Sequence, residues 1–471
     1  MSPDKIAIIK SKRNAAIVAA AGHGKTEMIV DLVEAYDTKV LLVTHTNAGV
    51  EALIKRLKKR GIDSKKYSIT TIAGFCIRWC LAYPQTAGIR DISVTDDKYY
   101  SMQYKGAVAI FQNVWARNVL QRTYSCVIVD EYQDCILLQH HIFVEINKTV
   151  PVIVFGDPLQ AIFGWAGHLV SWKDLCFERV SVDTYPWRWK KTNPALGEYL
   201  KKIRPFLETG LEGENITIQI KSVPECIQVI PTSYKHNSKL ISMVQDYEDA
   251  VYITKLPKDQ EAFSRRTGGI FQNDEAQSLK VLFNKASDFD KRDGHISVDN
   301  LFSFLELCAT GIKDELGSYL RNIQKGNYNF DRIKKHPEFG ILIKAVYDER
   351  SNESIIAVLD WVKKEGAFKL HRKELFSEMR RSLICASEKN ITILEAAQRI
   401  RTIPGLQRKY PKFKMLSSRT VLSKGLEFDC VIVDLENGMS VTDYYVALTR
   451  AKKQIILISD KITVTLETPK L

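Results

Sequence analysis

Apolar residues in the first third of the chain fall in short runs separated by stretches of helical period. Residues 15–21 (AAIVAAA) form an unbroken apolar run that predicts a buried strand, and residues 25–36 follow with helical spacing. Residues 40–44 predict a second strand, and residues 48–59 an amphipathic helix. Residues 126–129 and 152–155 are short apolar runs bounded by polar residues, as strands covered on both faces should be. Strands alternating with helices predict an α/β unit around a parallel sheet. The alternation returns at 227–230 and 251–255, stops, and resumes only at 430–434 and 455–459. Between these, roughly residues 285–404 read as a helix-rich stretch, an insertion within a second α/β unit.

Composition narrows the class without naming a function. The 471 residues suffice for two or three domains, and 45% hydrophobic with 26% charged residues is ordinary for a globular chain. The opening Ser-Pro-Asp-Lys is polar and no apolar run approaches bilayer length, so neither a secretory leader nor a membrane span is expected. The 9 cysteines include no Cys-x-x-Cys pair, and Cys76 and Cys80 stand at helical spacing in an apolar stretch. That pair reads as core, and all nine read as reduced thiols of a cytoplasmic protein. A net charge of +13 favours a polyanionic partner. The excess is uneven: residues 361–415 hold 14 Lys/Arg against 5 Glu, with Trp361, Phe368, Phe376, Tyr410 and Phe413 interleaved. Such a stretch is either a nucleic-acid surface or a set of solvated helix faces.

The chemistry concentrates at three predicted strand ends. Residues 19–26 read AAAGHGKT between a strand and a helix. Such a turn, Ala21-Gly22-His23-Gly24, presents backbone N–H groups and a helix N-terminus to phosphates. Lys25 would add a point charge toward the β and γ phosphates, and Thr26 a hydroxyl for Mg²⁺. After the strand 126–129 comes VDEYQD, in which Asp130 can hold Mg²⁺ and Glu131 can deprotonate an attacking water. After 152–155 comes GDPLQ, where Gln160 can sense the γ phosphate. Together these residues predict one phosphoryl-transfer site that uses ATP and Mg²⁺. No histidine pair has ligand spacing, and a would-be EF-hand at 288–300 fails because its first ligand would be Phe289.

VDEYQD followed by GDPLQAIFGWAG resembles the UvrD/Rep/PcrA branch of superfamily 1 helicases. VTHTNAGVEAL, ITTIAGFCIRW, YPWRW, SKGLEFD and YYVALTRAKK resemble further motifs of that family, in the family's order over nearly the whole chain. The resemblance implies two RecA-like P-loop domains with parallel sheets and a helical insertion in the second. The first domain would span 1–185 with a small insertion near 81–122. The second would combine 186–284 with 405–471, around an accessory insertion at 285–404. It implies that Arg188 and Arg450 reach the γ phosphate from the second domain, that Glu427 accepts a ribose hydroxyl, and that Trp187 stacks on adenine. Trp165 would stack on a base, while Thr44, Thr46, Asn47, Thr71 and Lys424 would touch phosphate or sugar.

The sequence departs from the family pattern at several positions. Lys5 stands where a glutamine usually reads the adenine edge, His23 replaces a serine, His45 an aromatic and Ala166 an arginine. Two readings follow. One is an ATP-driven 3′→5′ translocase or helicase on single-stranded DNA, with RNA left open. The other is a nucleic-acid-stimulated ATPase that acts as a sensor or activates a partner such as a nuclease, since compact chains of this kind resemble the helicase-like subunits of bacterial antiphage systems.

Overall fold

The computed structural model describes residues 1–89, 98–164, 167–211, 213–220, 223–235, 237–274, 279–323, 325–330, 333–364, 368–402 and 414–469. Its strands are β1 (Asn14–Val18), β2 (Val40–Thr44), β3 (Tyr67–Thr71), β4 (Cys126–Val129), β5 (Val152–Gly156), β6 (Ile216–Gln219), β7 (Ile227–Ile230) and β8 (Ala250–Thr254). They continue as β9 (Gln272–Asn273), β10 (Ala309–Thr310), β11 (Lys369–Leu370), β12 (Met415–Arg419), β13 (Phe428–Asp434), β14 (Met439–Ser440), β15 (Ala451–Ile458) and β16 (Thr463–Glu467). Two parallel sheets dominate, one of five strands in the order β1-β5-β4-β2-β3 and one of six in the order β7-β15-β13-β8-β12-β9.

Each large sheet is covered on both faces, which is why its strands read as unbroken apolar runs. In β4, Val127 and Val129 join one core cluster, with Phe75 and Phe143, while Cys126 and Ile128 join another, with Ile29 and Leu53. In β13, Val431 and Val433 face Leu196, Leu200 and Tyr444, and Cys430 and Ile432 face Leu240 and Phe263. The helices between 279 and 402 form a separate apolar core around Phe304, Phe339, Leu359 and Met379. It meets the second sheet where the Asn273 N–H donates to the His371 carbonyl (3.0 Å) and Arg372 pairs with Glu261 (2.7 Å).

The expected elements agree with the structure except where buried polar residues break the hydrophobic pattern. The first strand stops at Val18, because the Ala19 and Ala21 N–H groups bond to the Gly156 carbonyl and the Asp157 carboxylate. Strands β3 and β12 carry no apolar run. Ser417 and Ser418 of β12 are fully buried, and the Ser417 hydroxyl is satisfied by the Gln260 carbonyl at 2.8 Å. Cys76 and Cys80 lie buried on one helix, Ile72–Ala82, as their spacing indicated. In the basic stretch Phe368 and Phe376 are buried and Trp361 packs on Phe339, so these three rings serve the helical core. Tyr410 and Phe413 lie outside the described residues. None of the described helices is long and apolar enough to cross a membrane.

His371 is fully buried where the helical insertion meets the second sheet, and neither of its ring nitrogens has a hydrogen-bond partner. Burial, with Arg372 and Arg265 nearby, pushes its pKa down to about 4. Burial, with His141, does the same for His140. The unfolded chain, with histidines near about 6.5, takes up protons first as pH falls, so stability is present above that value and is lost down to the folded pKa. Unfolding free energy should therefore fall between about pH 6.5 and 4, by up to about 1.4 kcal/mol per pH unit for each such histidine. Denaturant melts across this window should show a slope about one proton shallower in His371→Leu. An unchanged slope would mean that His371 is protonated in the folded state.

Candidate functional site

Because the first sheet is parallel, the carboxyl ends of its strands open on one edge, where such sheets place their ligand sites. The phosphate loop follows β1, Asp130 and Glu131 follow β4, and Asp157 to Gln160 follow β5. The loop needs glycine, with Gly22 at φ +72° and Gly24 at φ +87°. A Cβ on Gly22 would also lie 2.8 Å from the Trp189 ring. Gly24 is the N-cap of the helix Lys25–Ala35 and supplies no side-chain cap, so the first turn can offer its N–H groups to an anion.

Lys25 is pinned between two carboxylates, with its Nζ 3.0 Å from Asp130 and 2.5 Å from Glu131. Burial works against the ammonium, but the two acids outweigh it and hold the Lys25 pKa above its ordinary value. Burial raises the Asp130 carboxyl, with the Lys25 charge opposing. For Glu131 burial is overcome by Lys25 and Lys424, and its carboxyl sits below the usual carboxylate range. Glu131 takes a left-handed backbone (φ +57°), a conformation uncommon for a residue with a side chain. Its second oxygen accepts from Gln133 at 2.5 Å, so it is oriented from both sides. Thr26 follows Lys25 in the first helical turn.

The second sheet contributes its amino edge. Glu427 immediately precedes β13 and Arg450 immediately precedes β15, so both side chains start at strand entrances facing the first sheet. The Arg188 guanidinium bonds Glu427 at 2.7 Å and the Thr449 carbonyl, while its backbone N–H donates to the Gly22 carbonyl at 3.1 Å. Arg450 is almost fully buried and donates to Gln160 Oε1 at 3.2 Å. Burial, then the neighbouring Arg188, lowers its pKa to about 9, which leaves it a cation at neutral pH. Trp187 is half exposed beside the loop, where a Cβ on Gly24 would lie 3.2 Å from its ring. His23 is buried, and its ring nitrogen lies 2.8 Å from the Ala21 carbonyl.

The residues expected to hold a strand gather less completely. Thr44 and Thr71 are register partners on β2 and β3, at the same sheet edge as the phosphate loop. Thr44 is buried against the turn at Gly49. The Thr46 and Thr71 hydroxyls accept the N–H groups of Gly49 and Gly74, both at 3.0 Å, and so cap the two following helices. Lys424 crosses between the two units to pair with Asp134 and the Gln160 carbonyl, with the Phe163 ring 5.1 Å away. Trp165, Ala166 and the side chain of Asn47 lie outside the described residues. Lys5 donates to the Ser181 carbonyl at 3.1 Å. His45, pushed by burial and then by Lys424 to a pKa of about 4, lies 3.4 Å from Cys135 Sγ.

The arrangement fits a nucleotide triphosphate with a divalent cation: a glycine cradle, an uncapped helix start, a buried lysine between two acids, and two arginines facing them. Sequence reasoning missed Asp157, Asp134, Arg204 and Tyr445. The first two stood within strings already singled out, GDPLQ and VDEYQD, while nothing in the sequence around Arg204 marked it.

Residues 4–165 match the model of a family described as "AAA domain". The Gabija protein GajB of Bacillus cereus (strain VD045) is 28% identical over 200 residues, a match covering 34% of this chain and 40% of that relative. Among solved structures, the Pif1 helicase from Candida albicans aligns over 98% of this chain and 95% of its own, at 12% identity and a TM-score of 0.38. An Arterivirus nonstructural protein 10 (helicase) solved with DNA aligns over 97% of this chain and 63% of its own, at 11% identity and a TM-score of 0.34. Overlaps at such scores carry no weight for function. The AAA-domain match takes in the phosphate loop, Asp130, Glu131 and Gln160, and the curated relative is similar to this chain over about a third of its length.

Proposed function

We propose that this chain hydrolyses ATP with Mg²⁺ in the cleft between its two parallel-sheet units and uses the cycle to move 3′→5′ along single-stranded DNA in the cytoplasm. On this reading the units are 1–185 and 186–284 with 405–471, and 285–404 is accessory. One observation carries the proposal: Lys25, Asp130, Glu131 and Gln160 on one side meet Arg188 and Arg450 on the other within a single ion-pair and hydrogen-bond network. Lys25 and the N–H groups of the loop would hold phosphate, and Thr26 and Asp130 the cation, which neutralises developing charge when bound. Glu131 would take the proton of the attacking water, while Arg188 and Arg450 stabilise charge on the transferring phosphoryl group. Trp187 would stack on the base and Glu427 would accept the ribose.

A second reading is favoured by Lys424. This cation, expected on a strand, is already paired with Asp134. A chain whose strand contacts are engaged internally suits a nucleic-acid-stimulated ATPase that senses a strand and activates a partner, such as a nuclease, with little unwinding. The likeness to a Gabija protein is in keeping with a role in antiphage defence.

Lys25→Ala removes the phosphate-binding charge, so nucleotide affinity and turnover should both collapse. Glu131→Gln keeps the shape but cannot accept a proton, so nucleotide should bind and turnover should fall by about 10²–10⁴-fold. Normal turnover by Glu131→Gln would remove Glu131 from the mechanism.

ATP turnover measured with single-stranded DNA, duplex and RNA, alongside displacement from 3′- and 5′-tailed duplexes, separates the two readings. Stimulation by single strands with displacement from the 3′ tail supports the translocase. Stimulation without displacement from either tail supports the sensor, and displacement from the 5′ tail alone overturns the polarity.

A further inference from the structure

Asp157 is the most densely bonded carboxylate at the junction of the two units. It is fully buried and accepts from the Ala21 N–H (3.0 Å), the Leu159 N–H (3.3 Å), the Gln160 amide (2.8 Å) and Arg204 (2.7 Å). Ala21 belongs to the phosphate loop, and the other end of the Gln160 amide accepts from Arg450. The Asp157 N–H donates to Gln133 at 3.0 Å, and Gln133 in turn donates to Glu131. This one residue therefore touches every first-sheet element of the site.

Its cation comes from the other unit. Arg204 lies in the helix Pro194–Thr209, whose Leu196, Leu200 and Leu207 pack in a core of the second sheet. All three nitrogens of its guanidinium are used: one on Asp157, one on the Tyr445 hydroxyl (2.7 Å) and one on Glu208 (2.9 Å). Tyr445 is buried on the helix Val441–Leu448, five residues before Arg450. A lysine could carry the charge but could not bridge three acceptors from one planar fork.

We propose that Arg204 is a positioning residue that fixes the phosphate loop and Gln160 against the second unit, through Asp157 on one side and Tyr445 on the other. The inference rests on the ATP-hydrolase reading above and adds to it a residue that touches no substrate atom. Movement of the helix Val441–Leu448 displaces Arg450 and Tyr445 together. Through Arg204 and Asp157 the same movement is felt at Gln160 and at the Ala21 N–H. Arg204 also keeps Asp157 ionised: burial raises the Asp157 carboxyl, and the guanidinium outweighs it. Without that cation the carboxylate keeps three donors but loses its tie to the other unit.

The test measures kcat and KM for ATP, with and without single-stranded DNA, together with thermal melting and fluorescent-nucleotide affinity. The proteins compared are the intact wild type, Arg204→Met, Arg204→Lys, Tyr445→Phe, and Arg204→Met combined with Tyr445→Phe. In Arg204→Met the strand-stimulated kcat should fall by about ten- to a hundredfold, with KM moving by less than about threefold. Stimulation by the strand should fall more than basal turnover. Arg204→Lys should recover part of the loss. The double variant should be no worse than Arg204→Met within about twofold, because both changes cut one path.

If wild type turns over ATP but Arg204→Met merely melts earlier, with unchanged kcat per nucleotide-binding molecule, the pair is structural and the inference falls. Should Arg204→Met fail to fold, normal kcat and normal stimulation in both Arg204→Lys and Tyr445→Phe overturn it equally. An inactive wild type overturns the hydrolase reading itself, and the inference with it.

Discussion

Lys25, Asp130 and Glu131 bring three charges together beneath a glycine loop, and the cost of keeping them from water shapes the rest of the site. An isolated buried ion is paid for only when partners and hydrogen bonds surround it. Lys25 has two carboxylates as ion-pair partners, Glu131 has Lys25 and Gln133, and the Asp130 carboxylate also accepts the Glu131 N–H at 2.9 Å. The set carries one more negative than positive charge, which draws in cations from the facing unit. Lys424 and Arg450 both lie close enough to alter ionisation here: Lys424 lowers the Glu131 pKa, and the Glu131 charge in turn supports that of Arg450. Docking of the two sheets thus follows in part from charge balance around one lysine.

That balance also explains why opposite edges of the two sheets meet. Carboxyl ends of parallel strands gather loops that can bear acids and glycines, as those after β1, β4 and β5 do. The entrances of β13 and β15 in the second sheet bear Glu427 and Arg450. An arginine at a strand entrance is held by backbone on both sides: Arg450 bonds the Val446 carbonyl (3.0 Å) and the Leu426 carbonyl (3.3 Å) before it reaches Gln160. Its head group therefore arrives with little freedom left to lose. Arg188 is fixed differently, by a backbone bond to Gly22 and a side-chain bond to Glu427, so the same residue reads both units at once.

Much of this was legible in the sequence because buried parallel strands are short apolar runs, and because loop chemistry sits at their ends. AAAGHGKT, VDEYQD and GDPLQ announced their carboxyl-edge positions by following such runs directly. Elements whose burial is polar were not legible. β12 buries Ser417 and Ser418 through bonds to Gln260 and Asp274, partners more than a hundred residues away. Arg204 looks like any helix arginine until Asp157 and Tyr445 arrive from elsewhere in the chain. In the basic stretch, interleaved aromatics resemble a stacking surface in one dimension. In the fold, Phe368 and Phe376 close the helical core and Arg380 pairs with Asp360 at 2.5 Å.

Lys25, Arg188 and Lys424 each have an acidic partner within the chain, and this bears on how a nucleotide would act there. Lys25 is held by Asp130 and Glu131, Arg188 by Glu427, and Lys424 by Asp134. Burial raises the Asp134 carboxyl to about 6 even against Lys424, so that pair is finely balanced. An incoming triphosphate would compete for Lys25 and Arg188 with carboxylates already in place. A divalent cation would compensate by taking over the Asp130 and Glu131 charges that Lys25 had satisfied. Phosphate and cation therefore favour one another through this single exchange, and neither alone replaces what it displaces.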